Sequence, residues 1–123
     1  QRQMCIRDRY VTYSNEAKER LLGVAPKTIS DHGVVSSQTA AEMAAGAAKT
    51  AHTMIALSST GVAGPDGGTK EHPVGDVYLG CCYNGSVMTQ HMLGCGSRTE
   101  IRQQAVAAAF SLLEKMLTEE KIL

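Results

Sequence analysis

The sequence lacks an excess of charge of either sign. Its twelve lysines and arginines balance twelve aspartates and glutamates among 123 residues, so no net field attracts nucleic acid or an anionic membrane surface. It also lacks a basic run interleaved with aromatic residues, which many nucleic-acid-binding proteins carry. We therefore expect neither nucleic acid nor a membrane among the partners.

Long hydrophobic runs and a targeting segment are missing as well. No apolar stretch approaches the length needed to cross a bilayer, and the N-terminus lacks the charged, apolar and small-residue zones of a signal peptide. We therefore expect a cytoplasmic protein. With 43% hydrophobic and 20% charged residues, the chain is predicted to form one small domain with an ordinary core.

The sequence contains no metal-binding or redox motif. Cys5, Cys81, Cys82 and Cys95 form no C-x-x-C pair, and the four histidines follow no H-E-x-x-H or similar spacing. The cysteines are predicted to be reduced and mostly buried thiols. We expect neither a metal nor a cofactor.

The first nine residues, QRQMCIRDR, differ from the rest of the chain. They carry three arginines without periodicity or turn chemistry, and we interpret them as a non-native leader, the translated remnant of a sequencing adapter. Residues 10–123 are then predicted to form the domain, incomplete at its N-terminus.

Helical and strand patterns alternate from Tyr10 onward. Strands are predicted at residues 10–14, 54–58, 77–83 and 87–93, the last two joined as a hairpin. Helices are predicted behind Asn15, from Ser36 and behind Ser97, where Ser97-x-x-Glu100 makes a capping box. This order predicts an α/β fold, a three-layer α/β/α domain with a mixed, mostly parallel sheet that lacks its N-terminal segment.

The segment Thr60–Gly75, TGVAGPDGGTKEHPVG, places five of the twelve glycines and two of the three prolines between two apolar runs. Its glycines permit positive φ and expose backbone N–H groups. The helix that phosphate-binding fingerprints need directly after the glycines is missing, because residues 70–73 and a strand follow. A long loop at the carboxyl end of a strand is nevertheless where open α/β sheets bind ligands. We predict a ligand-binding loop, with a purely structural connection as the alternative.

Two polar side chains of this loop are candidates for ligand contact. Thr60 is best placed to direct a hydroxyl into the site. Asp66 is ambiguous, because an aspartate in a Pro-Asp-Gly turn can instead hydrogen-bond its own backbone.

From about Tyr10 to Leu117, the chain resembles the C-terminal domain of the CinA family, the competence/damage-inducible proteins. The resemblance rests on five segments in this order: YSNEAKERLLGV, HGVVS, TGVAGPDGG, PVG and GSRTEIR. It implies a nicotinamide-nucleotide amidohydrolase, which hydrolyses the amide of nicotinamide mononucleotide to nicotinate mononucleotide and ammonia in NAD recycling. It also implies a small-molecule nucleotide substrate and a homo-oligomer, a dimer or larger.

The resemblance implies three catalytic residues around a serine nucleophile and a lysine general base. Lys18 matches the family's lysine, Tyr13 a tyrosine near the substrate, and Thr60 the Ser or Thr before the first glycine of the loop. The first turn of a helix disfavours an ammonium group, and burial would lower the pKa of Lys18 further. Judged without the resemblance, Lys18 would be a solvated surface lysine and Tyr13 a packed strand residue.

The resemblance also implies a substrate-binding set. Arg98, in GSR, is the candidate to pair with the nucleotide phosphate at a helix N-terminus. Arg102 is the weaker candidate, because a residue one turn further on is more often a surface residue. The loop residues of the set are Gly61, Gly64, Asp66, Gly67 and Gly68.

The nucleophile of the family lies in an ESCTGG-like motif upstream of the first predicted strand, and these 123 residues contain no such motif. We therefore predict a general base and a binding loop without the nucleophile, and no deamidation by this chain alone. The alternative is a non-catalytic nucleotide-binding or assembly module, which the upstream sequence would distinguish from the enzyme.

Overall fold

The structure is a computed structural model that describes residues 10–12 and 14–121. The predicted leader and Tyr13 lie outside the described residues. The described elements are α1 (Asn15–Leu22), α2 (Pro26–His32), α3 (Ser37–Ala51), β1 (Ile55–Gly61), β2 (Asp76–Tyr83), β3 (Ser86–Leu93) and α4 (Arg98–Glu119). In this part of the chain, no helix has the length and apolarity that a membrane crossing requires.

Serine side chains cap the start of three helices. Ser14 Oγ accepts a hydrogen bond from Ala17 N at 3.0 Å, so Ser14 rather than the predicted Asn15 is the N-cap of α1. Ser36 caps α3, and Ser97 begins α4 with the predicted capping box. A side-chain oxygen at this position satisfies a backbone N–H that has no partner within the helix, which explains why these starts are readable from sequence.

Two segments before α3 differ from the predictions. The strand predicted at residues 10–14 is wrong for its described residues: residues 10–12 pair with no described strand, and Ser14 already turns the backbone into α1. The sequence analysis predicts no helix at residues 26–32, where the structure has α2. Proline fits the first position of a helix because its missing N–H is not needed there.

The described sheet has the order β1-β2-β3 and is antiparallel throughout. The predicted mixed, mostly parallel pairing is not confirmed by these strands, and β1 lies at an edge of the described sheet. The loop of residues 62–75 and the tight turn at Asn84–Gly85 both reverse the chain, whereas a parallel pair needs a crossover. The predicted hairpin is confirmed, with positive φ at Asn84 and Gly85.

Helices cover both faces of the sheet, which confirms the predicted three layers. Val77, Leu79 and Cys81 of β2 pack against α4. Cys82 packs against the alanines of α3. Because successive strand residues point to opposite faces, α3 and α4 lie on opposite sides. Cys81 and Cys82 are free and buried as predicted, whereas Cys95 is free but exposed.

Helix α1 lies against α3 through a close backbone approach. Leu22 at the end of α1 is buried with Val24 and Met43, and a Cβ atom at Gly46 would overlap the carbonyl group of Leu22. Thr50 Oγ1 donates a hydrogen bond to a backbone carbonyl of α1 at 3.1 Å. Since α3 packs on the sheet, these contacts set the position of α1 relative to β1.

Candidate active site

A cleft of about 510 Å³ opens at the carboxyl end of β1. Residues 10–12, residues 34–35 and side chains from α1, α3, β1, β2 and α4 line it. This volume is within the usual range for small-molecule sites. Within the described ranges, its charged lining residues are Lys18 and Arg102, with no aspartate or glutamate. The cleft therefore suits an anionic ligand.

Lys18 is a buried amine in this cleft. Only 7% of the residue is exposed, and its Nζ donates a hydrogen bond to Thr12 O at 2.6 Å. Burial lowers the pKa of Lys18, and the positive end of α1 acts in the same direction. Lys18 is thus not a solvated surface lysine. A neutral amine held by its donated hydrogen bond keeps a lone pair that can take a proton.

Thr60 lies on the same cleft at the end of β1. It is 9% exposed, and its Oγ1 donates a hydrogen bond to Val34 O at 2.6 Å. Because its proton is used in this bond, the hydroxyl oxygen is left to accept a hydrogen bond from a ligand or a nucleophile. The next residue, Gly61, also lines the cleft, and a Cβ there would come within 2.5 Å of Asp76 O.

The rest of the glycine-rich loop lies away from the cleft lining. Of the predicted loop residues beyond Gly61, none of Gly64, Asp66, Gly67 and Gly68 lines the cleft. Gly64 and Gly67 have φ of 82° and 90°, which L-residues with side chains rarely adopt. These residues shape the loop, while its first residues border the site.

The two candidate arginines occupy different positions from those expected. Arg98 Nη1 donates a hydrogen bond to Gly64 O at 2.8 Å, and Arg98 is not among the residues that line the cleft. Arg102, predicted as the weaker candidate, lines it. Tyr13, the remaining predicted catalytic residue, lies outside the described residues.

A histidine–aspartate–histidine cluster that the sequence analysis missed lies at the end of the loop. Asp76 is 4% exposed. Its Oδ2 is 2.8 Å from His72 Nδ1, and its Oδ1 pairs with His91 Nε2. The ring of Tyr78 stacks on His91 with centroids 4.3 Å apart. The predicted hairpin could have indicated the contact between Tyr78 and His91, because its register places these two residues opposite each other.

Burial alone would raise the pKa of Asp76, but the hydrogen bonds from His91 and His72 outweigh it and the pKa is lowered. In the described part of the chain, no group of three or more His, Cys, Asp or Glu side chains is arranged to hold a metal ion. The cluster therefore acts through pairwise hydrogen bonds that join the loop to β2 and β3.

Asp76→Asn is expected to lower the free energy of unfolding by about 1–3 kcal/mol at pH 7, because a charged acceptor shared by two histidines is lost. A carboxyl whose pKa is lowered on folding stabilises the protein above its unfolded pKa, and this contribution is lost as the pH falls through the folded value. Urea unfolding at pH 7, 5 and 3 should therefore show a steeper loss below about pH 5 for the unmodified chain than for the variant.

The matched control is Asp31→Asn. Asp31 forms a surface ion pair with Lys27 and its side chain is 48% exposed, so this change should alter stability by less than about 1 kcal/mol. Equal acid dependence of the unmodified chain and Asp76→Asn would contradict the role given to the cluster.

The family model of the CinA C-terminal domain matches residues 5–117. The chain belongs to the CinA C-terminal domain family. A competence-damage inducible protein of Clostridium acetobutylicum is 54% identical over 105 residues, which cover 85% of this chain and 26% of that protein. A CinA-like protein of Kosmotoga olearia is 49% identical over 107 residues, with 87% and 26% covered.

Solved CinA structures share the fold. The competence/damage inducible protein CihA from Agrobacterium tumefaciens superimposes with a TM-score of 0.80 at 44% identity, covering 86% of this chain and 66% of that one. A CinA superfamily protein from Escherichia coli gives a TM-score of 0.81 at 32% identity, covering 87% and 62%. The chain thus spans about a quarter of these curated relatives and somewhat under two thirds of these two solved chains.

Proposed function

We propose that this CinA domain belongs to a nicotinamide-nucleotide amidohydrolase, which hydrolyses the amide of nicotinamide mononucleotide to nicotinate mononucleotide and ammonia. The observation that carries the proposal is Lys18, a buried amine with a lowered pKa on the same cleft as Thr60. A general base must be neutral at the working pH, and burial is the physical means of making a lysine neutral.

In the proposed mechanism, Lys18 acts on a serine of the family's ESCTGG-like motif, which these 123 residues do not contain. The neutral amine takes the hydroxyl proton while the serine oxygen attacks the amide carbon. When the tetrahedral intermediate collapses, the C–N bond breaks and the Lys18 ammonium returns the proton to the leaving nitrogen, which departs as ammonia. Water then hydrolyses the ester, with Lys18 again taking and returning a proton.

The second candidate function is a non-catalytic nucleotide-binding or assembly module. The sequence upstream of these residues distinguishes it from the enzyme, because an ESCTGG-like motif there would supply the nucleophile and its absence would favour the module. The cleft and its positive lining would serve either function, so the presence of a nucleophile decides between them.

The test is ammonia release from nicotinamide mononucleotide by this chain and by the same chain extended with the upstream codons of its source gene. We expect no release above a buffer control from the 123-residue chain. We expect turnover by the extended chain if its upstream segment contains an ESCTGG-like motif. Ammonia release by the short chain would contradict the proposed nucleophile, and an inactive extended chain that carries the motif would favour the binding module.

A further inference from the structure

We infer that Arg102 binds the phosphate group of the nucleotide and that Arg98 is a positioning residue for the glycine-rich loop. This inference rests on the proposed function, because it assigns the phosphate of that substrate to one side chain. It reverses the order in which the sequence ranks the two arginines.

The side chain of Arg98 is hydrogen-bonded to the glycine-rich loop. Its Nη1 donates a hydrogen bond to the carbonyl oxygen of Gly64, 34 residues away in sequence. Gly64 is buried, and the loop residues just before it, Gly61 and Ala63, line the cleft. The guanidinium of Arg98 therefore joins the start of α4 to the loop at the point where the loop leaves the cleft, and Arg98 itself does not line the cleft.

The side chain of Arg102 has no such hydrogen bond to a described residue. It lies one helical turn after Arg98 and lines the cleft. Within residues 10–12 and 14–121, its side chain donates no hydrogen bond, and no carboxylate lies within salt-bridge distance. An arginine guanidinium has a planar set of donors that matches a phosphate in a bidentate arrangement. Arg102 thus brings an available positive charge to a cleft without lining carboxylates.

The role of Lys18 requires that the phosphate be held by another group. A phosphate dianion beside the amine would favour the ammonium form and raise its pKa, which opposes the effect of burial on Lys18. Lys18 enters the cleft from α1, which packs on α3, whereas Arg102 enters it from α4 on the opposite face of the sheet. The two positive groups therefore reach the substrate from different layers, which separates phosphate binding from proton transfer.

The experiment compares nicotinamide mononucleotide with nicotinamide riboside, which differs only in lacking the phosphate, by calorimetric titration of the 123-residue chain. The unmodified chain should bind the mononucleotide about ten- to a hundredfold more tightly. Arg102→Gln should remove this difference, and Arg102→Lys should retain part of it because a point charge remains. Arg98→Gln is the matched control and should weaken both ligands by the same factor.

The outcomes separate this inference from the proposed function. A phosphate-dependent gain that survives in Arg102→Gln, or that disappears in Arg98→Gln alone, overturns the assignment while leaving the cleft a nucleotide site. Failure of the unmodified chain to bind either ligand contradicts the proposed function and the inference with it. Arg102 is exposed, so thermal unfolding of its variants should match that of the unmodified chain. Arg98→Gln loses the hydrogen bond to Gly64 O and should unfold at a slightly lower temperature.

Discussion

Lys18→Ala in the extended, catalytically competent chain should lower kcat for ammonia release by about 10²- to 10⁴-fold, the range expected for a lost general base. The reason is that, in the proposed mechanism, the buried amine accepts the proton of the nucleophile and donates it to the leaving nitrogen. KM for nicotinamide mononucleotide should change much less, because the inferred contact with the phosphate is made by Arg102. Steady-state ammonia release over a range of substrate concentrations measures both.

The pH dependence of ammonia release tests the same prediction in a second way. The amine must be neutral to act as a base, so activity should rise with pH through the pKa of Lys18. Because burial lowers that pKa, the rise should occur at a lower pH than an ordinary lysine would give.

Two variants control for packing and for general charge effects. Lys18→Met keeps most of the side-chain volume and should be as inactive as Lys18→Ala while unfolding no more easily than the unmodified chain. Lys27→Ala removes a lysine whose side chain is largely exposed and should leave the rate unchanged. Activity of Lys18→Ala within a few-fold of the unmodified enzyme would exclude Lys18 as the base.

Gly46→Ala should lower the free energy of unfolding by about 3 kcal/mol or more, at the upper end of the range for overpacking. The new Cβ would overlap the carbonyl group of Leu22. Both partners belong to helix backbones, so neither can move away by a rotamer change. Helix α1 would have to move away from α3, and Lys18 would leave the cleft with it. Urea unfolding measures the loss.

Gly85→Ala is the control for Gly46→Ala. A Cβ at Gly85 would meet no atom within 4 Å, although φ there is 91°. This change should therefore lower the unfolding free energy only through backbone strain, by about 1 kcal/mol. Similar losses in the two variants would show that the close approach of α1 to α3 contributes little.

The elements that the sequence predicted well are determined by residues that are close together in the sequence. The capping box behind Ser97 and the hairpin at Asn84–Gly85 are confirmed because side chains near in sequence satisfy the local backbone. The position of the glycine-rich loop after β1 was predictable for a similar reason, since its glycines and prolines exclude regular structure. The family was predictable because its motifs occur in order along the chain, and the family match confirms it.

The errors concern features that depend on contacts between residues far apart in the sequence. The strand predicted at residues 10–14 failed because strand formation needs a partner, which propensity does not reveal. The predicted mixed, mostly parallel pairing is not confirmed by the described strands, because a pattern of apolar residues does not distinguish parallel from antiparallel pairs. The cluster around Asp76 was missed because its two histidines lie on different elements and meet only through the hairpin register.

By itself, the sequence determined the family, the start of α4 with its capping box, the hairpin and the loop after β1, because each depends on neighbouring residues or on motif order. Tertiary structure alone decided that Lys18 is buried, that Thr60 shares its cleft, and that Arg102 rather than Arg98 lines it. Burial and charge environment are set by elements packed from far along the chain. The chemistry available to each of these side chains therefore depends on the packing of α1 and α4 around the end of β1.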